Sequence, residues 1–191
     1  PQGSVVSVVV SLGPPLVEVP NVLDLPLEEA IARLEAAGFA YKTFDLFGVS
    51  FSTELGYTNL LTALDLAGIP LEARDRDGSH PIVVAGGHAA FNPEPIADFI
   101  DAAVLGDGEQ AVLEITAVVR AWKAEGSPGG RPELLLRLAQ TGGVYVPSLY
   151  DVDYHPDGRI QRVAPNRPDV PWRVAKHTVM DLDEWPYPKQ P

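Results

Sequence analysis

The stretches LFGVSF (residues 46–51), PIVVA (81–85) and AAVL (102–105) decide the fold. Each is a short, nearly continuous apolar run, which is typical of a strand that is covered on both faces. Helical patterns over residues 58–67 and 109–124 alternate with these strands. Strands that alternate with helices through short loops predict an α/β fold with a mostly parallel, three-layer sheet.

Weaker patterns complete this part of the chain. Residues 69–73 are predicted to form a strand, and residues 95–100 a short helix. The helix over residues 109–124 is expected to bury one face, which is formed by Val112, Ile115, Val119 and Trp122.

Two glycine-containing loops follow buried strands at the predicted carboxyl edge of the sheet. They are AGGHAAFNPEP (residues 85–95) and LGDGEQ (residues 105–110). Open parallel sheets bind their ligands at this edge, and glycine allows backbone to approach a bulky ligand without a Cβ clash. The alternative is that the glycines are ordinary turn residues. Both interpretations concern Gly86, Gly87, Gly106 and Gly108.

Composition excludes several classes of function. The formal charge is -12, which argues against a nucleic-acid partner because such a partner needs a clustered basic face. No apolar run approaches the roughly 20 residues that span a bilayer, so no membrane partner is expected. The chain has no cysteine, which excludes a thiolate-ligated iron–sulfur cluster or a cysteine nucleophile within it.

Residues 127–191 are predicted to form a linker, a short helix, several short strands and an irregular tail. SPGGRP (residues 127–132) is expected to be a linker, and residues 132–139 a short helix. HPDG (residues 155–158) predicts a hairpin turn. Short strands are expected at residues 144–146, 152–154 and 159–163, and frequent prolines predict an irregular tail from Ala164 onward.

The histidines give no sign of a metal site. His80 and His155 fall in polar turns and are expected at the surface, and His177 has no partner at metal-ligand spacing. His88 follows the glycine pair, where it could contact a ligand or belong simply to the loop.

Two long stretches carry a family resemblance. FDLFGVSFSTELGYTNLLTALDLAGIPL (residues 44–71) and PIVVAGGHAAFNPEPIADFIDAAVLGDGE (residues 81–109) resemble the N-terminal cobalamin-binding-type domain of a radical SAM protein family. GGVYVPSLYDVDYHPDGRI (residues 142–160) and residues 173–191 resemble the segment that leads into its catalytic barrel. The resemblance implies a flavodoxin- or Rossmann-like cofactor domain, followed by a barrel with a CxxxCxxC cluster motif. No such motif occurs here, so the chain is expected to be a fragment without its barrel.

The resemblance also implies a ligand and its contacts. Ser50 and the pair Gly86–Gly87 would flank the nucleotide tail of cobalamin, a small-molecule cofactor. The cobalt-ligating histidine of a DxHxxG motif would lie upstream of Ser50, and the chain is expected to lack such a motif. We expect Gly87→Val to abolish binding and to leave the fold largely intact. The full set of expected cofactor contacts is Ser50, Gly86, Gly87, His88, Gly106, Gly108 and Glu109.

The first residues resemble a different family. Residues 3–39 look like parts of two PASTA repeats, the extracellular modules of bacterial cell-wall-sensing kinases and penicillin-binding proteins. They include a β-branched strand at residues 4–12 and a helix with an apolar stripe from Leu27 to Ala37. A seam is therefore expected near residues 41–45. Both elements could instead be native parts of one α/β domain.

The expected organisation follows from both resemblances. Residues 1–43 form a PASTA-like segment, residues 44–126 the cobalamin-binding-type domain, and residues 127–191 a linker and β extension. The leading function is a fragment of a cytoplasmic radical SAM protein, with a cofactor-binding or structural role and no catalysis alone. The alternative is a cell-wall ligand-binding module, or an artificial chimeric scaffold without native function.

Overall fold

The computed structural model describes residues 20–22, 25–38, 44–181 and 183. The chain divides into two compact units, residues 1–44 and residues 45–191. Of the described part, no helix is long and apolar enough to cross a membrane. The predicted strand at residues 4–12 lies outside the described residues.

The first unit contains one described helix, α1 (Leu27–Ala36). Pro26 precedes its first turn, and Glu28 and Glu29 lie where the helix dipole favours negative charge. Gly38, with φ of +82°, follows the helix, as expected for a C-terminal glycine. None of the helix side chains that the structure describes is fully buried.

The second unit is built on a four-stranded sheet: β1 (Leu46–Ser50), β2 (Ile82–Gly86), β3 (Ala102–Val104) and β4 (Val144–Tyr145). The spatial order is β1-β2-β3-β4. β1, β2 and β3 are parallel, and β4 runs antiparallel beside β3. This arrangement confirms the predicted α/β class, with its mostly parallel, three-layer, flavodoxin- or Rossmann-like sheet.

The described part of this unit contains three α-helices: α2 (Tyr57–Leu66), α3 (Gly108–Ala124) and α4 (Gly130–Ala139). Their apolar faces and the inner strands form one core, which removes a large apolar area from water. An antiparallel hairpin follows, β5 (Tyr150–Tyr154) and β6 (Ile160–Pro165), and it confirms the predicted turn at residues 155–158.

The strand predicted at residues 69–73 is wrong. This stretch is irregular and leads into a 3-10 turn at Ala73–Asp75. The carbonyl oxygens of Pro70 and Leu71 accept hydrogen bonds from the guanidinium of Arg76. A side chain therefore satisfies backbone groups that a neighbouring strand would otherwise satisfy.

Other differences are smaller. Residues 94–99 form a 3-10 helix rather than an α-helix, and α4 begins at Gly130, inside the predicted linker. On α3 the buried row is Ala111, Ile115, Val119 and Trp122. Val112 is 56% exposed, because it lies one residue, and so about 100°, away from that row.

Candidate functional site

The carboxyl edge of the sheet brings several predicted contact residues together. Ser50 ends β1 and is the register partner of Gly86, which ends β2. Ser50 and His88 are exposed, as are Gly108 and Glu109 at the start of α3. Because β1, β2 and β3 run parallel to one another, the loops that follow them lie at the same edge of the sheet.

Gly87 is required by the packing of the protein itself. Its φ is +86°, and a Cβ there would lie 2.5 Å from the carbonyl oxygen of Phe51 and 2.9 Å from Ser50 Oγ. The Phe51 N–H donates to Gly86 O (2.8 Å), and the Ala89 N–H donates to Phe51 O (3.1 Å). Gly87 thus allows the loop after β2 to close on the end of β1. The expectation that Gly87→Val leaves the fold intact is therefore wrong.

Tyr57, the first residue of α2, contacts the same loop from the other side. The Tyr57 hydroxyl lies 2.8 Å from Ala89 O and 2.9 Å from Asn92 O, so it donates to the carbonyls of the AGGHAAFNPEP loop. Its ring meets that of Phe51 edge to face at a centroid distance of 5.3 Å. Burial, and then the charge of Glu54, raise the pKa of Tyr57, which keeps the hydroxyl protonated as a donor.

The loop after β3 is paired with the C-terminal tail. We call residues 174–179 the tail segment. The His177 N–H donates to Leu105 O (2.7 Å), and the Asp107 N–H donates to His177 O (3.0 Å), which forms a parallel bridge at Gly106. The Val179 N–H donates to Asp107 Oδ2 (2.8 Å). The carboxyl edge at β3 is therefore covered by the chain itself.

Two glycines make this pairing possible. Gly106 has φ of +111°, and a Cβ there would overlap the carbonyl oxygen of His177. Gly143 has φ of +75°, and a Cβ there would lie 2.8 Å from the His177 Cβ. The His177 imidazole is thus wedged beside the glycines, and its Nδ1 is buried with no hydrogen-bond partner among the described residues. Residue patterns did not predict this contact, because it joins positions more than 30 residues apart.

Gly86 and Gly108 differ from the other two predicted glycines. A Cβ at either position would meet no atom within 4 Å. At these two positions the space beside the backbone is open.

The string DxHxxG does occur in the sequence, as DYHPDG at residues 153–158. It forms the β5–β6 hairpin turn, in which the His155 N–H donates to Arg159 O (2.8 Å) and the Gly158 N–H donates to His155 O (2.9 Å). His155 is exposed, as predicted. The string therefore lies in a hairpin rather than in the strand-to-helix loop that the cobalamin motif requires.

A buried charge cluster lies at the opposite, amino edge of the sheet. Asp101 Oδ2 accepts hydrogen bonds from Arg76 (2.9 Å), Arg131 (2.7 Å) and the Val83 N–H (2.7 Å). The side chains of Arg76 and Asp101 are 0% and 1% exposed. Burial lowers the pKa of Arg76, and the carboxylate of Asp101 opposes that change.

The same cluster ties together three separate loops. Arg131, in the first turn of α4, donates to the carbonyls of Asp77, His80 and Pro81, and Arg76 donates to that of Phe99. Asp101 Oδ1 and Arg131 Nε have no partner within the described residues. The cluster fixes α4 against the sheet, and the sequence analysis missed it because its members are far apart in the chain.

Over residues 20–22, 25–38, 44–181 and 183, no three or more His, Cys, Asp or Glu side chains are grouped so that they could hold an ion. The fold and the carboxyl edge thus define an α/β domain whose glycine loops pack mainly on their own chain.

A comparison with known protein families identifies the family of this domain. The family described as "Radical SAM proteins, N-terminal" matches residues 30–147, more than half of the chain. The chain therefore belongs to this family. No curated protein and no solved structure matches it.

Proposed function

We propose that this chain is an accessory domain of a radical SAM protein, with a structural role and no catalysis alone. The observation that carries the proposal is the tail segment on the loop after β3. There, Gly106 and Asp107 bind the backbone of His177 and Val179. A loop that binds its own chain in this way serves to organise the fold and the path of the chain.

The chemistry of the side chains supports the same role. Radical SAM chemistry needs an iron–sulfur cluster, which thiolates hold, and this chain has no cysteine. Membership of the family concerns the N-terminal region of such proteins. Any cluster would therefore have to be held by residues outside this sequence.

Anaerobic reconstitution tests the proposal. We expect the purified chain, incubated with iron and sulfide, to show no cluster absorbance and no cleavage of S-adenosylmethionine after desalting. A radical SAM protein with an intact cysteine motif, treated in parallel, is the positive control. A stoichiometric cluster that cleaves S-adenosylmethionine would overturn the proposal.

Cobalamin binding stays a prediction, and the residues at the carboxyl edge fit its nucleotide tail poorly. Backbone of the chain fills the space that the missing side chains of Gly87 and Gly106 leave. Only Gly86 and Gly108, among the four glycines, face open space. We therefore assign the domain no step that depends on cobalamin.

We place the domain in the cytoplasm, since a cysteine-free chain does not rely on an oxidising compartment.

The alternative of a cell-wall ligand binder rests on the PASTA-like segment, of which α1 is the main described part. Binding of a β-lactam or a muropeptide would favour that alternative.

A further inference from the structure

A cleft of about 800 Å³ opens beside β4 and the β5–β6 hairpin, away from the carboxyl edge. Its volume falls within the roughly 300–1,000 Å³ of typical small-molecule sites. Tyr145 of β4 and Tyr150 and Tyr154 of β5 all line it. Neither the family match nor the cobalamin resemblance assigns anything to this cleft.

Two of the tyrosines are held in fixed positions. The rings of Tyr145 and Tyr150 are 4.8 Å apart at an angle of 42°. The Tyr145 hydroxyl donates to Glu94 Oε1 (2.8 Å), and the Tyr150 hydroxyl donates to Pro171 O (2.8 Å). These bonds lock the rings before any ligand arrives, which lowers the entropy cost of binding.

Tyr154 adds a third, more open wall. It lies four residues after Tyr150 on β5, and Tyr150, Val152 and Tyr154 all line the cleft, as expected of alternate residues on one face of a strand. Tyr154 is 53% exposed, whereas Tyr145 and Tyr150 are buried. The trio therefore runs from the interior of the cleft to its mouth.

The charges around the tyrosines favour a cation. Five carboxylates and four arginines line the cleft. Arg74 pairs with Glu72, and Arg167 pairs with Asp169. The buried cluster of Arg76, Arg131 and Asp101 leaves one positive charge, which backbone carbonyls surround.

Glu94 and Asp98 place negative charge on the wall of the cleft. Neither has a cationic partner within 4 Å among the residues that the structure describes. Glu94 accepts from the phenol of Tyr145, and burial together with this carboxylate raises the pKa of Tyr145. The phenol therefore stays neutral, and Glu94 keeps a second oxygen free.

We propose that this cleft binds an organic ammonium group, held by the rings of Tyr145, Tyr150 and Tyr154 and by the carboxylate of Glu94. Aromatic rings attract alkylammonium ions through their negative faces, and a carboxylate nearby adds direct charge attraction. An apolar, alkylated cation also suits the proline, leucine and valine side chains of the walls.

The test uses choline as the probe and its uncharged isostere 3,3-dimethylbutan-1-ol as the matched ligand. Calorimetric titration and the chemical shifts of the tyrosine rings are measured on the full chain. We expect choline to shift the Tyr145, Tyr150 and Tyr154 signals and to bind about tenfold more tightly than the isostere. Equal binding of the two, no binding of choline, or tighter binding of benzoate would overturn the proposal.

Substitutions distinguish the loss of a ligand contact from a general loss of packing around the cleft. Glu94→Gln retains an acceptor for the Tyr145 hydroxyl but loses the charge, so choline affinity should fall several-fold. Tyr154→Ala should weaken binding, and Tyr154→Phe should preserve it, because the ring persists. Asp153→Asn, which removes a charge at the neighbouring exposed position, is the control and should leave affinity unchanged. A loss of affinity in Tyr154→Phe equal to that in Tyr154→Ala would contradict the role of the ring.

Discussion

At the scale of single residues, glycines of the predicted ligand loops have different structural roles, and of Gly87, Gly106 and Gly108 only the first two have a positive φ. Gly87 and Gly106 each lack room for a Cβ because a neighbouring carbonyl oxygen is too close, that of Phe51 in one case and that of His177 in the other. Gly108 has no such neighbour and begins α3. The three glycines can therefore be distinguished by substitution.

Gly106→Ala should destabilise the domain and release the tail segment. The added methyl group overlaps the His177 carbonyl, and φ of +111° is unfavourable for alanine, which costs about 1–3 kcal/mol. Denaturant unfolding measures the loss, and hydrogen exchange at His177 and Val179 reports the release. Gly108→Ala is the matched control, with an expected change within about 0.5 kcal/mol. Equal effects of the two substitutions would contradict this account of the loop.

At the scale of elements, α1 and β2 represent two levels of burial. β2 lies between β1 and β3, and three of its five residues are buried. α1 belongs to the other unit, and none of its described side chains is fully buried. Local opening free energy follows such differences in packing.

Amide hydrogen exchange should accordingly be faster in residues 27–38 than in residues 82–86. The reason is that opening α1 exposes little buried surface, whereas opening β2 breaks two strand ladders. Mass spectrometry of peptic fragments makes the comparison under native conditions. Equal protection of both stretches would favour a single native domain and would argue against a seam near residues 41–45.

At the scale of the whole molecule, the chain itself occupies part of the carboxyl edge of the sheet. The tail segment covers the loop after β3, and the loop after β2 closes on β1. The four histidines all come after Ser50. His88 is exposed, His155 is exposed in the β5–β6 hairpin, and His177 lies beside Gly143. None of them lies in a strand-to-helix loop upstream of Ser50.

We therefore expect cobalamin to bind weakly and without a protein imidazole as the lower axial ligand. Titration with cob(II)alamin, followed by electron paramagnetic resonance, measures both properties. His88→Ala and His155→Ala should leave the spectrum unchanged. Nitrogen superhyperfine splitting that disappears in either variant would contradict this expectation.

The sequence by itself determined the α/β class, the three parallel strands, the hairpin turn and the family. Those features depend on local patterns: apolar runs of strand length, helical periodicity and turn residues, which neighbouring residues alone can satisfy. It also determined the absence of thiolate chemistry, because composition needs no coordinates.

Only the tertiary structure decided what the predicted loops contact. Gly106 meets His177 across 71 positions, and Asp101 joins Arg76 and Arg131 across 25 and 30 positions. The two local errors have nearer causes: Arg76, five and six residues further on, satisfies the carbonyls of Leu71 and Pro70, and Val112 lies one residue away from the buried row of α3. Long-range contacts depend on how strands and helices pack, so no local pattern could reveal them.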